Sequence, residues 1–218
     1  MGMTASVREA GDGVPDREGV AESGDALFVG PGEMRARYRA FDWAATPLGP
    51  AADWPAALRT AVRLMLAAPV PTSLWCGPSY TLLYNDAYQR ILGAKHPRAL
   101  GRSGAVVWEE LWPGLEPRFA QIRAGGEAIF ADEALLTMRR LEGGRAEDAW
   151  FTYAMTPLTD EAGVCLAVYN VAVEVTERVR AHEALEGANA LLQEQGLELE
   201  LANQQLQDNA VELETRTE

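Results

Sequence analysis

Two cysteines and two histidines are all that 218 residues offer for disulfide or metal chemistry. Cys76 and Cys165 are too few for a disulfide framework, and without a cysteine pair or more histidine a protein-built metal site is not expected. No run of eighteen apolar residues occurs. The nearest, LMLAAPVP, is short and ends in prolines, so no transmembrane span is expected. The N-terminus shows no basic flank ahead of an apolar stretch, hence no secretory signal. Positive charge is also scarce: 19 Lys and Arg against 32 Asp and Glu give a net charge of -13, which argues against nucleic acid or an anionic membrane as partner. A cytoplasmic, reducing location follows as an expectation. No Ser-His-Asp arrangement, catalytic carboxylate pair or phosphate-cradling glycine loop stands out. Gly125-Gly126 and Gly143-Gly144 are too short and isolated to be more than turns. No catalytic site is therefore expected in this chain.

What is present divides into three segments. Residues 1–25 are rich in Gly, Asp, Glu and Ser without apolar periodicity, and a disordered leader is expected there. Residues 26–176 carry the apolar patterning of a packed domain. DWPAALRTAVRLMLAAP predicts a helix with Asp53 as its cap, Pro55 in the first turn, and Trp54, Leu58, Val62 and Met65 on one face. TSLWCG and YTLLY read as a hairpin about the Gly77-Pro78 turn. PGLEPRFAQIRAG predicts a helix that buries Leu115, Phe119 and Ile122. Three long strand runs follow, in AIFADEALLTMRR, DAWFTYAMTPL and GVCLAVYNVAVEVT. Two of these are apolar at both parities, which predicts a sheet covered on both faces. The fold class is α+β, with a five-stranded antiparallel sheet and flanking short helices.

In the third segment, residues 177–218, Leu185, Leu192, Leu199, Leu206 and Leu213 fall seven apart, the spacing of a coiled-coil seam. The companion positions are His182, Asn189, Gly196, Asn203 and Ala210, so the seam is a soft one. A homodimer through a long C-terminal helix is expected.

The stretch LLYNDAYQRILG, residues 82–93, changes from strand to helix at Asn85 and closes on Gly93. It resembles the early signature of PAS domains, where the second strand ends on an asparagine and a short helix ends in glycine. The asparagine side chain suits that joint because it can hydrogen-bond nearby backbone. MTPLTDEAGVCLAVYNVAVEVTERV is similar to the closing strands of the same family, with Glu174-Val175-Thr176 in place of an Asp-Ile-Thr-like triplet. The run from FDWAATPLGP to VVWEELWP is similar to the N-terminal PAS module of bacterial sensor histidine kinases, and the likeness spans roughly residues 32–180. It implies a sensory input module joined to a kinase or other output domain. A PAS module and coiled coil acting alone as a protein–protein adaptor is the alternative.

The same resemblance implies a cavity between the sheet and the short helices. Tyr84, Tyr88, Trp108, Phe119, Tyr153 and Tyr169 are the candidates to line it, with Asn170 facing inward if Tyr169 does not. What occupies it is left open: no small molecule or cofactor is specified. The cysteine loop of flavin-binding PAS domains is missing, and His96, beside a proline, is a poor haem ligand. His182-Glu183 has the His-Glu start of a kinase phosphoacceptor but continues Ala-Leu-Glu, so it is read as a seam residue.

Overall fold

The computed structural model describes residues 24–141 and 144–216, without the side chains at 24, 25, 208 and 210–215. The leader expected over residues 1–25 thus lies almost wholly outside the described residues, as do Gly143 and the side chain of Leu213.

Helix α1 (Glu33–Ala40) buries Met34 and Tyr38, and helix α2 (Ala56–Ala67) buries Leu58, Ala61, Val62, Met65 and Leu66. Phe28, Tyr38, Trp43 and Trp54 form one ring cluster, with centroids 5.0–6.3 Å apart. Asp53 does not cap α2. It ends a separate turn, Ala51–Asp53, and the helix starts after Pro55. The reason is local: a residue before proline avoids the helical region, so Trp54 is extended and the helix cannot begin ahead of it.

Strands β1 (Thr72–Cys76) and β2 (Thr81–Tyr84) form the expected hairpin. Short helices α3 (Gln89–Leu92) and α4 (Gly104–Val107) follow, then α5 (Trp112–Arg123), which buries Leu115, Phe119 and Ile122. Strands β3 (Ile129–Met138), β4 (Glu147–Thr159) and β5 (Cys165–Glu174) complete an antiparallel sheet in the order β2-β1-β5-β4-β3. Both termini of the sheet's path therefore lie near its middle: β5 pairs with β1 and hands the chain to α6 (Thr176–Arg216).

Coverage of the sheet is uneven, contrary to the sequence expectation. Every residue of β1 and β2 is buried, whereas on the late strands Phe130, Leu135 and Val173 are 69%, 52% and 41% exposed. The α2 helix packs against the sheet from β1 to β4. Twelve helical residues are about 18 Å long and about 10 Å wide, too small to cover one face of five strands spaced about 4.8 Å apart. The apolar residues at the second parity of β3 and β5 consequently remain at the surface. Beyond Val179 the described side chains of α6 are all exposed, including Leu185, Leu192, Leu199 and Leu206.

Candidate functional site

The strand-to-helix joint is built on Asn85. Its Oδ1 accepts from the backbone N–H of Thr72 and of Tyr88, both at 3.1 Å, and its Nδ2 donates to the carbonyls of Val70 and Ala68 at 2.8 and 3.0 Å. One buried side chain thus ties the end of β2 to the start of β1 and caps the turn into α3. Gly93 closes that helix at φ +55°, and a Cβ there would stand 2.6 Å from the carbonyl oxygen of Arg140. Both the conformation and the close approach require glycine.

The joint aims α3 so that Tyr88 and Ile91 face the sheet and roof a small cavity with Trp108, Leu115 and Phe119. Tyr153, Met155, Phe151, Trp75 and Asn170 form its floor. Of the six aromatic residues singled out in the sequence, Tyr88, Trp108, Phe119 and Tyr153 line this space. Tyr84 and Tyr169 do not. Tyr84 is fully buried elsewhere: its backbone N–H and C=O both bond the Tyr38 hydroxyl, and its own hydroxyl meets His96 Nδ1 at 2.8 Å. Tyr169 has the opposite parity from Asn170, and Asn170 is the inward residue. The strand residues of the lining that the sequence reading missed are Trp75, Leu136, Met138, Phe151, Met155 and Ala172. Their strand parity places them there, but no local pattern marks one parity as the inner one.

The cavity is apolar with one polar corner. Ser73 Oγ accepts from Trp75 Nε1 at 3.1 Å and from Asn170 Nδ2 at 3.2 Å. Burial pushes the Tyr88 hydroxyl up to about 12, against the lowering influence of Ser73 and Trp108, so it stays protonated. Asn170 Oδ1 is buried and has no partner among the described residues. The volume within it is about 40 Å³. That is room for about one water, and well short of the roughly 300 Å³ at which drug-sized ligands are held. Above it, Arg118 donates to the Tyr153 hydroxyl.

Neither cysteine nor His96 lines this space. Cys76 is buried on β1, where burial pushes its thiol well up. His96 has both ring nitrogens engaged, by Tyr84 and by Glu33 Oε1 at 3.1 Å. Among the described residues no three His, Cys, Asp or Glu gather as a metal site, and no helix is long and apolar enough to cross a membrane.

From the cavity a chain of contacts leads to α6. Arg140 Nε donates to the sulfur of Met138 at 3.3 Å, and its guanidinium lies 5.8 Å from the Phe151 ring, both residues being cavity lining. The same guanidinium donates to Glu174 Oε2 at 2.8 Å. Glu174 Oε1 accepts from the Thr176 hydroxyl at 2.8 Å, and Thr176 Oγ accepts the N–H of Trp150 at 3.0 Å. Burial opposes ionisation of Glu174, but Arg140 and Thr176 outweigh it and hold the carboxyl below its ordinary value. The triplet Glu174-Val175-Thr176 is therefore the knot between β5, β4 and the start of α6.

Residues 76–180 match the family model of the PAS fold. Among solved structures, the chain is similar to an RNA-binding light-oxygen-voltage receptor, at 24% identity and a TM-score of 0.45, over 63% of this chain and 38% of that one. It is also similar to the PAS domain of BvgS from Bordetella pertussis, at 18% identity and a TM-score of 0.39, over 61% and 97% of the two chains. A third likeness is to the LOV domain of a blue-light activated histidine kinase from Erythrobacter litoralis, at 19% identity and a TM-score of 0.39, over 50% and 98%. No curated protein gives a match.

Proposed function

With residues 76–180 forming a PAS domain, we propose that the chain is a sensory input module whose cavity state is relayed through α6 to an output domain such as a histidine kinase. The observation that carries the reading is Asn170. An oxygen buried without a partner costs free energy that a hydrogen-bond donor in the cavity recovers. The cavity such a donor enters is also lined, further along the sheet, by Met138 and Phe151, and these touch Arg140, which holds the carboxylate at the root of α6. Occupancy that shifts this lining shifts the root of the helix. The occupant is water or a ligand of a few atoms; a larger ligand requires Tyr88, Trp108 and Phe119 to move apart.

The readout is a homodimer formed by pairing of the exposed leucine ladder, Leu185, Leu192, Leu199 and Leu206, with Leu213 continuing the spacing. Asn and Gly at the companion positions make two registers close in energy, which suits a switch. The adaptor reading is favoured by the small cavity volume and by the exposed Phe130 and Leu135 on the outer face of the sheet.

Native mass spectrometry separates these. The wild-type chain is expected to be a dimer and the Leu192→Glu, Leu199→Glu double variant a monomer, both retaining any small added mass. A wild-type monomer removes the relay. A dimer with no added mass, whose helix crosslinks are unchanged in Asn170→Leu, favours the adaptor.

A further inference from the structure

A second concave site lies beside the short helices. It is bounded by the turn Gly93–Lys95, by the loop that includes Arg98 and Arg102, by α4 at Val106 and Val107 with Glu109 and Glu110 after it, and by Arg139 and Leu141 just past β3. Its volume is about 390 Å³, within the range of small-ligand pockets. The walls are tied at their base. Ala94 N–H donates to the Arg140 carbonyl at 2.7 Å, and Glu110 Oε1 takes both the Lys95 ammonium at 2.7 Å and the Arg139 N–H at 2.8 Å.

The charge here is reversed from that of the chain. Over the whole sequence acidic residues outnumber basic ones 32 to 19. In this cleft Lys95, Arg98, Arg102 and Arg139 face Glu109 and Glu110. Lys95, the only lysine in the sequence, neutralises Glu110 and rests 4.0 Å from the centre of the Trp108 ring. Arg102 and Arg139 have no side-chain hydrogen bond or ion pair among the described residues. Two guanidinium forks open toward one space match the planar oxygens of a phosphate or carboxylate, and Val106, 61% exposed, with Leu141 supplies an apolar wall beside them.

We propose that this cleft binds a small organic oxyanion, a phosphate or carboxylate on a short apolar stem, held by Arg102 and Arg139. The site is separate from the cavity and shares one wall with it: the ammonium of Lys95 lies in the cleft, and the Trp108 ring it covers lines the cavity. The proposal stands whether or not the cavity has an occupant.

The single lysine makes the test specific. In the 218-residue chain labelled with ¹³C-lysine, the one side-chain signal set reports Lys95. At low salt, phenyl phosphate or benzoate is expected to shift it saturably, and benzyl alcohol is not. Arg102→Gln and Arg139→Gln are each expected to weaken binding about tenfold or more, Arg102→Lys less, and Arg59→Gln, outside the cleft, not at all. A response to phenyl phosphate alone identifies an organic phosphate, and a response to benzoate alone a carboxylate. A Lys95 signal unmoved up to roughly 10 mM of either anion, or equal affinity in wild type and both glutamine variants, overturns the proposal. Circular dichroism melts of each variant separate lost binding from lost folding, and the wild-type titration decides independently of them.

Discussion

On the β1–β2 side of the sheet, every strand residue is buried and Asn85 spends both its oxygen and its amide on four backbone groups. On the β3–β4–β5 side, outward apolar residues meet solvent, and Asn170 uses only its amide and leaves its oxygen unpaired against a void. The same residue type thus serves as a rivet in one half and as an unmet demand in the other. A fully satisfied polar group gains nothing from any rearrangement, so that half is a fixed frame. An unsatisfied one lowers its energy when something enters beside it, so the other half is where a change can begin.

This contrast is sharpest in the paired substitutions Asn85→Ala and Asn170→Ala. Asn85→Ala strips a buried partner from Thr72 N–H and from two carbonyls, and should lower unfolding free energy by about 3 kcal/mol or more. Gly93→Ala comes next, at about 2 kcal/mol, because it forces a positive φ and a contact with the Arg140 carbonyl. Asn170→Ala gives up one hydrogen bond to Ser73 while removing an oxygen that had none, and should cost about 1 kcal/mol or less. Urea denaturation of the three variants ranks them. Equal losses at the two asparagines would break the comparison.

The smallest effect is in pH. Glu174 titrates below its ordinary value of 4.5 in the folded chain, so its contribution is complete above that value and is lost as pH falls through the lowered one. Carboxyl resonances followed by NMR should show Glu174 titrating low. In Arg140→Gln its midpoint should move up, because the burial that opposes ionisation then acts without the guanidinium.

The order of elements was legible because it is written in local chemistry: Asn85 breaks a strand, Pro69 and Pro71 end a helix, and Gly125 at φ +90° closes another. The inner face of β5 was not. Cys165 to Val173 is apolar at both parities apart from Asn170, and only packing against α5 decides that Asn170, and not Tyr169, turns inward. The place of Tyr84 was equally hidden, since its partners Tyr38 and His96 belong to other elements and Glu33 reaches His96 across 63 residues. Short-range rules see joints and periods; they do not see which of two apolar faces meets a distant helix.

The root of α6 has a mechanical consequence. Forty-one helical residues extend about 60 Å at 1.5 Å each. Its root is held by Thr176 and Val179 against the domain, by Arg178 on Glu133 at 2.9 Å, and by Arg180 on the Asp148 carbonyl and the Trp150 ring. Such a rod is a lever with a short arm at the carboxylate knot and a long arm beyond it. A tilt of about 5° at the fulcrum sweeps the far end through about 5 Å, close to one full turn of helix. Under the proposed relay, a displacement on the scale of a single water at the root suffices, because the rod magnifies it along its length.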